Sequence, residues 1–249
     1  MCRKYPLLRN IKVVLEYDGT DFYGWQIQPE KRTVQGVLES VVEKFLRKKI
    51  QVIAAGRTDT GVHALGQVAN FFIENDYDEE TIKNAINANL PGDIFVRAAE
   101  QIDNSFHSRF DALSRIYIYK ISKKKSVFKK RFSWYYGHTL DILYMNKGCE
   151  LLLGKKDFTS FAVSKSKKEN MNMDIKRCYF RETENEIIFE IEADRFLHKS
   201  VRTIIGTLVL LGSKNLDVVD IEKILQAKDR RSAGSTTPPH GLFLKEVKY

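Results

Sequence analysis

Residues 56–64 read Gly56-Arg57-Thr58-Asp59-Thr60-Gly61-Val62-His63-Ala64, a single carboxylate between glycines, with an arginine two residues before it and a histidine four after. The run in front of it, Ile50-Gln51-Val52-Ile53-Ala54-Ala55, is apolar and β-branched, which predicts a short strand. Asp59 then falls on the loop leaving that strand, where a rigid scaffold presents side chains to a cleft. The same Gly, Thr and Asp content is also ordinary turn chemistry, in which Asp59 would only hydrogen-bond nearby backbone. Taken alone, the loop leaves both readings open.

Outward from this loop, strands and helices alternate. Ile11 to Glu16 predicts a strand, and Thr33 caps a helix with Val34, Val37, Leu38, Val41, Val42, Phe45 and Leu46 at helical spacing. Gln67 to Glu74 is strand, Glu79 to Leu90 a helix stopped by Pro91-Gly92, and Ile94 to Glu100 strand again. The helices of this half are expected on one face of a sheet. From Arg115 the pattern restarts, with strand Ile116 to Ser122, a helix from Leu140 to Leu153 ended by Gly154, and strands Ile175 to Arg181 and Glu186 to Ala193. Helices Leu197 to Leu211 and Asp217 to Ala227 and a terminal strand Leu242 to Val247 complete it. A soft boundary within Asp103 to Leu113 divides the chain into 1–105, carrying the aspartate loop, and 106–249.

With 249 residues the chain makes one large domain or two ordinary ones, and its formal net charge of +9 points to a polyanionic partner, most often nucleic acid. Cys2, Cys149 and Cys178 have neither zinc spacing nor the even count of a disulfide framework, which suits a reducing compartment. No stretch is long and apolar enough to span a bilayer, so a soluble, cytoplasmic protein is expected.

Three further constellations bear on chemistry. Arg115, Tyr117 and Tyr119 alternate along one strand and so share a face, either as a platform on which a base stacks or as rings packed on a neighbouring element. Arg195-Phe196-Leu197-His198-Lys199-Ser200-Val201-Arg202 runs into an apolar helix, with Arg202 beside the buried set near the helix start. A guanidinium there needs a carboxylate partner, and Asp59 is a candidate. Within the same helix Gly206 costs about 1 kcal/mol against Ala, which predicts close packing on another element. His198 and Lys199 suit phosphate contacts at a helix N-terminus or simple solvation. Basic runs Arg47-Lys48-Lys49, Lys123-Lys124-Lys125, Lys129-Lys130-Arg131 and Lys165 to Lys168, interleaved with Phe128, Phe132, Trp134, Tyr135 and Tyr136, favour binding to backbone phosphates.

In this order, the motifs resemble the tRNA pseudouridine synthase A family. The resemblance runs through Tyr17-Asp18-Gly19-Thr20, Phe22-Tyr23-Gly24-Trp25-Gln26, Thr33-Val34-Gln35-Gly36-Val37-Leu38-Glu39 and the loop quoted above. It continues through Phe106-His107-Ser108-Arg109-Phe110-Asp111-Ala112, Arg115-x-Tyr117-x-Tyr119, Leu152-Leu153-Gly154, Asp157-Phe158-Thr159-Ser160-Phe161, the Phe196-to-Arg202 segment and Gly241-Leu242-Phe243-Leu244. It implies an α+β pseudouridine synthase fold, a mixed, mostly antiparallel sheet flanked by helices in two similar halves with a central cleft. It further implies a homodimer, without metal or cofactor, that isomerises uridines in the anticodon stem-loop of tRNA. By this resemblance Asp59 is the nucleophile, Arg202 its ion-pair partner, Tyr117 the ring on the target base and Arg57 a residue that displaces that base. His63, Arg115, His198 and Lys199 are the remaining candidate substrate contacts. The chain departs from the family pattern at His198-Lys199-Ser200 and at Gly234-Ser235-Thr236-Thr237-Pro238, where the family has Arg-His-Met and Gly-Pro-Thr-Ala-Pro.

The isomerisation breaks the bond from N1 to C1′, turns the uracil and rejoins it through C5. One ionised carboxylate can serve, by covalent attack or by assisting loss of a C2′ proton. Asp59-Thr60-Gly61 also matches the aspartic protease triplet, but that chemistry needs two carboxylates, and no second Asp-Thr-Gly is present. An RNA-binding module of the same fold, or a synthase acting on another RNA such as ribosomal RNA, is the remaining alternative.

Overall fold

In the computed structural model, which describes residues 8–163 and 170–249, the chain divides into two compact units. One comprises the residues up to 113 together with 244–249, the other residues 114–243. The Lys165 to Lys168 run and Cys2 lie outside the described residues.

The first unit is built around β1 (Arg9–Tyr17), which pairs antiparallel with β3 (His63–Ile73) on one side and β4 (Ile94–Ile102) on the other. The end of β10 (Leu242–Lys248) lies along β3, giving the order β4-β1-β3-β10. Alternation explains β1: Ile11, Val13, Leu15 and Tyr17 are buried, while Lys12, Val14 and Glu16 point the other way, half-exposed. Helix α1 (Val34–Leu46) starts where expected, with the Thr33 hydroxyl accepting the Gly36 N–H at 3.3 Å, and buries Val34, Leu38, Val41 and Val42. Helix α2 (Glu79–Asn87) is capped by Asp78, and the Asn87 side chain ties it to both backbone groups of Val96 at 2.8 Å.

The strand expected at Ile50 to Ala55 is shorter. Only β2 (Ile53–Ala54) pairs with β3. Ile50, Val52 and Ala55 are buried, but carboxylates of α1 take the place of a ladder. Glu43 Oε1 accepts the Ile50 N–H at 3.1 Å and Glu39 Oε1 the Val52 N–H at 2.9 Å. Burial alone made this run resemble a longer strand.

In the second unit the strand order is β5 (Ser114–Ser122), β9 (Glu186–Ala193), β8 (Asn172–Glu182), β7 (Gly154–Asp157), all antiparallel, with β6 (Trp134–Tyr135) parallel to the end of β5. Helices α3 (Ile142–Leu152), α4 (Ser200–Gly212) and α5 (Val218–Ala227) accompany them, and α4 is buried along most of its length. Helix α4 begins three residues later than its apolar pattern implies, because Lys199 adopts a left-handed conformation (φ 61°) and Leu197 is buried in the turn before it. Gly154 does not merely end α3. At φ 82° it turns the chain into β7, whose Lys155-Lys156 sequence carries no apolar alternation.

Candidate active site

The Asp59 loop is held by backbone on several sides within its own unit. Trp25 N–H donates to Thr58 O (3.1 Å), Gly61 N–H to Phe22 O (3.2 Å) and Val62 N–H to Asp59 O (3.1 Å). Gly61 sits at φ +75°, and Gly24, at φ +83°, lies so close that an added Cβ would be 2.6 Å from Thr58 O. Below the loop the Gln67 amide donates to Gly56 O at 2.8 Å. The buried Thr58 hydroxyl meets the Tyr17 phenol at 2.8 Å. Thr58 thus points into the core and the neighbouring Asp59 is left half-exposed, with Arg57 and Thr60 exposed. A carboxylate so mounted is pre-oriented by the loop that carries it.

Tyr17 is the least obvious part of this mount, and its contribution is measurable. Burial pushes its phenol up to about 12, above the value of 10.0 of an unburied tyrosine. The folded value is the higher one, so the neutral phenol's contribution is intact below pH 10.0 and is lost as pH rises towards about 12. Tyr17→Phe is expected to cost roughly 1–2 kcal/mol by leaving the Thr58 hydroxyl without this buried partner. Urea unfolding at pH 8 checks it. In alkali the wild type should lose stability more steeply than the variant.

The second unit presents the other candidates. Tyr117 on β5 is 7% exposed, and its ring stands edge-on to Phe196 at 5.1 Å. The shared face expected of Arg115, Tyr117 and Tyr119 is not a three-residue stacking platform. Tyr119 is fully buried, edge-on to Trp134 at 6.2 Å, and its hydroxyl donates to Pro238 O at 2.9 Å. Arg115 donates from Nη1 to Asp194 O at 2.8 Å, bridging to the turn after β9.

Arg202 stands in the first turn of α4, half-buried. Its Nε donates to Thr237 O at 2.7 Å, while its own carbonyl accepts the Thr237 N–H and the Thr237 hydroxyl, both at 3.2 Å. Thr237, one of the departures from the family pattern, therefore takes part in orienting the guanidinium. Ser200, another of the departures, is fully buried, and its hydroxyl donates to Leu197 O at 2.8 Å, closing the turn before the helix. Burial and the charge of Arg202 both lower His240 below the usual histidine value.

His63 and His198 are placed differently from each other. His63 is 1% exposed and its Nδ1 accepts the Gly19 N–H at 3.0 Å, with Asp18 Oδ1 3.2 Å from the same atom. The imidazole thus stands behind the Asp59 loop rather than at the surface. His198 is exposed, with Nδ1 3.1 Å from Val163 O, and Lys199 is half-exposed. Tyr17, Gly19, Gly24 and Thr237 received no role from their sequence patterns, and Tyr119 only a shared face with Arg115 and Tyr117. For the glycines the available signal was their place in the short motifs around Asp18 and Trp25, where close backbone approach requires them. Among the described residues no three His, Cys, Asp or Glu side chains gather as a metal site.

The first unit thus carries a half-exposed carboxylate on a rigid loop, and the second an arginine held by Thr237 and a nearly buried tyrosine, residue types that nucleophilic and proton-transfer chemistry uses. Comparison with known proteins defines it further. The family profile described as tRNA pseudouridine synthase matches residues 13–111 and 149–249. The chain is 41% identical over 245 residues to tRNA pseudouridine synthase A of Pseudothermotoga lettingae, covering 97% of this chain and 100% of that one. It is 40% identical over 242 residues to the enzyme of the same name from an Exiguobacterium species, with 97% and 98% covered. The chain belongs to the tRNA pseudouridine synthase family, isomerases that convert uridine to pseudouridine in tRNA, and its α+β architecture is the pseudouridine synthase fold.

Proposed function

We propose that the protein isomerises uridines in the anticodon stem-loop of tRNA, with Asp59 as nucleophile, Arg202 as its counter-charge and Tyr117 as the ring against which the detached uracil is held. The observation that carries this reading is the rigid mount of Asp59, a half-exposed carboxylate whose loop is fixed by backbone hydrogen bonds and by the side chains of Thr58 and Gln67. Stacking on an aromatic ring supplies about 1–3 kcal/mol per base, enough to keep uracil in place while it turns. Extracting the target base from its stack costs a few kcal/mol, and the exposed Arg57 is suited to fill the space left behind. Arg115, His198 and Lys199 contact the substrate around it, and His63 supports the loop. The functional unit is a homodimer in the cytoplasm. Cys149 and Cys178 are buried and form no disulfide, which agrees with that compartment, and no described helix is long and apolar enough to cross a membrane.

Carbodiimide-dependent reverse-transcriptase stops on unmodified tRNA and rRNA test the substrate. Stops confined to the anticodon stem-loop are expected, and stops only in rRNA would keep the chemistry and overturn the substrate. Arg202→Lys keeps the charge but has no Nε to donate to Thr237 O and no planar fork for a carboxylate. Its single-turnover rate should fall about 10²-fold; an unchanged rate would argue against Arg202 as the partner of Asp59.

A further inference from the structure

Between β5 and β6 the chain forms a loop whose composition the catalytic assignment does not use. Residues 123–132 contain six cations, Lys123, Lys124, Lys125, Lys129, Lys130 and Arg131, and no carboxylate. Its base is fastened to the β8–β9 hairpin and the strand end. Lys123 pairs with Glu182 at 2.7 Å and Lys129 with Glu186 at 3.2 Å, and the Ser122 hydroxyl donates to Lys124 O at 2.7 Å. Phe132 N–H closes a turn onto Lys129 O at 2.9 Å, and the Phe132 ring lies 6.5 Å from that of Phe243. The tip is the reverse of a packed turn: Val127 is 79% exposed and Phe128 is 91% exposed. A single exposed apolar residue needs no explanation. Two adjacent ones, held outward by an anchored base and surrounded by cations, call for a partner that offers a flat apolar surface together with negative charge.

We propose that loop 123–132 is an RNA-docking prong, in which Phe128 stacks on a nucleobase standing outside a helix while Lys124, Lys125 and Lys130 hold the phosphates around it. RNA offers both features at once, since every base has a π-face and every nucleotide a phosphate. A second copy of this chain would bring the same six cations against these, so charge complementarity favours RNA over self-association. The prong thereby adds a second contact to the proposed tRNA-modifying reading, on which it rests, and acts on affinity and not on the bond-breaking step.

The test uses the full-length protein and an unmodified tRNA transcript, with filter binding across a salt series and single-turnover pseudouridine formation at saturating enzyme. Phe128→Ala should weaken binding about 10-fold and leave the salt dependence alone. The triple variant Lys124→Gln, Lys125→Gln, Lys130→Gln should flatten the slope of log affinity against log salt by about 0.9 per contact. Both should keep the wild-type single-turnover rate at saturation, and Phe128→Tyr should restore affinity. Unchanged affinity and slope in both variants would overturn the prong while leaving the uridine-isomerising reading intact. Loss of turnover at saturation would also overturn it, because the loop would then act in the chemistry. A drop in sedimenting mass on Phe128→Ala would assign the tip to contact between protomers instead.

Discussion

Asp59→Asn is expected to lower pseudouridine formation by roughly 10⁴-fold or more while tRNA binding survives. The side chains have the same shape, so the difference isolates charge and nucleophilicity. An amide neither attacks the sugar or base nor takes a C2′ proton, so both routes open to a carboxylate close together. Binding is expected to survive because other groups also fix the loop. Its turn is closed by the Val62 N–H on the Asp59 carbonyl, its left-handed position is a glycine, and its neighbour Thr58 is anchored to Tyr17. Carbodiimide mapping and filter binding on the same preparation check the two halves of the statement. Retained turnover would remove Asp59 from the chemistry; lost binding with a disordered loop would mean the carboxylate also holds the fold.

The contrast between Asp59 and its supports shows what the sequence could convey. Asp59 stood out as a candidate because it is a lone carboxylate between glycines after an apolar run, although those residues alone left an ordinary turn equally open. The strands and helices of the core were legible for a related reason: Ile11, Val13 and Leu15, or Val34, Leu38 and Val42, repeat at the period of their own element. Strand β7 was not, because an edge strand that buries little leaves no alternation in Gly154-Lys155-Lys156-Asp157. The run at Ile50 was over-read because the side chains of Glu39 and Glu43 serve its N–H groups from residues earlier in the chain. The same applies to Thr237 and Tyr119. Their hydrogen bonds span 35 and 119 residues of chain, and a Thr or Tyr that orients a distant residue looks like any other in one dimension. The motif resemblance offered what local pattern could not, proposed roles for Tyr117 and Arg202, but it assigned none to the residues that hold them.

That supporting layer is where the largest effect on stability is expected. Gly206 lies on α4 one turn beyond Arg202, and a Cβ added there would stand 1.8 Å from Ser235 O. The close packing expected from a glycine inside a helix is therefore backbone against backbone, and Gly234 answers it, its own Cβ position lying 2.8 Å from Thr207 N. A flexible side chain could move aside, but the segment after α5 cannot do so cheaply. Gly234 N–H donates to the Thr207 hydroxyl at 2.9 Å, the Thr203 and Thr236 hydroxyls meet at 3.2 Å, and Thr237 exchanges bonds with Arg202 in both directions. On its far side Tyr119 holds Pro238 O. In Gly206→Ala the helix gains about 1 kcal/mol of propensity, overpacking costs about 1–3 kcal/mol, and each displaced hydrogen bond about 1 kcal/mol more. With two bonds displaced the net loss should be about 2–4 kcal/mol, read as a lower urea midpoint. Because Thr237 is part of the displaced segment, Arg202 loses its orientation as well. Single-turnover rate at saturating enzyme should therefore fall under conditions where the variant is still folded, and more tRNA should not restore it. A variant with wild-type midpoint and rate would mean the segment yields freely and that Arg202 is oriented by something other than Thr237.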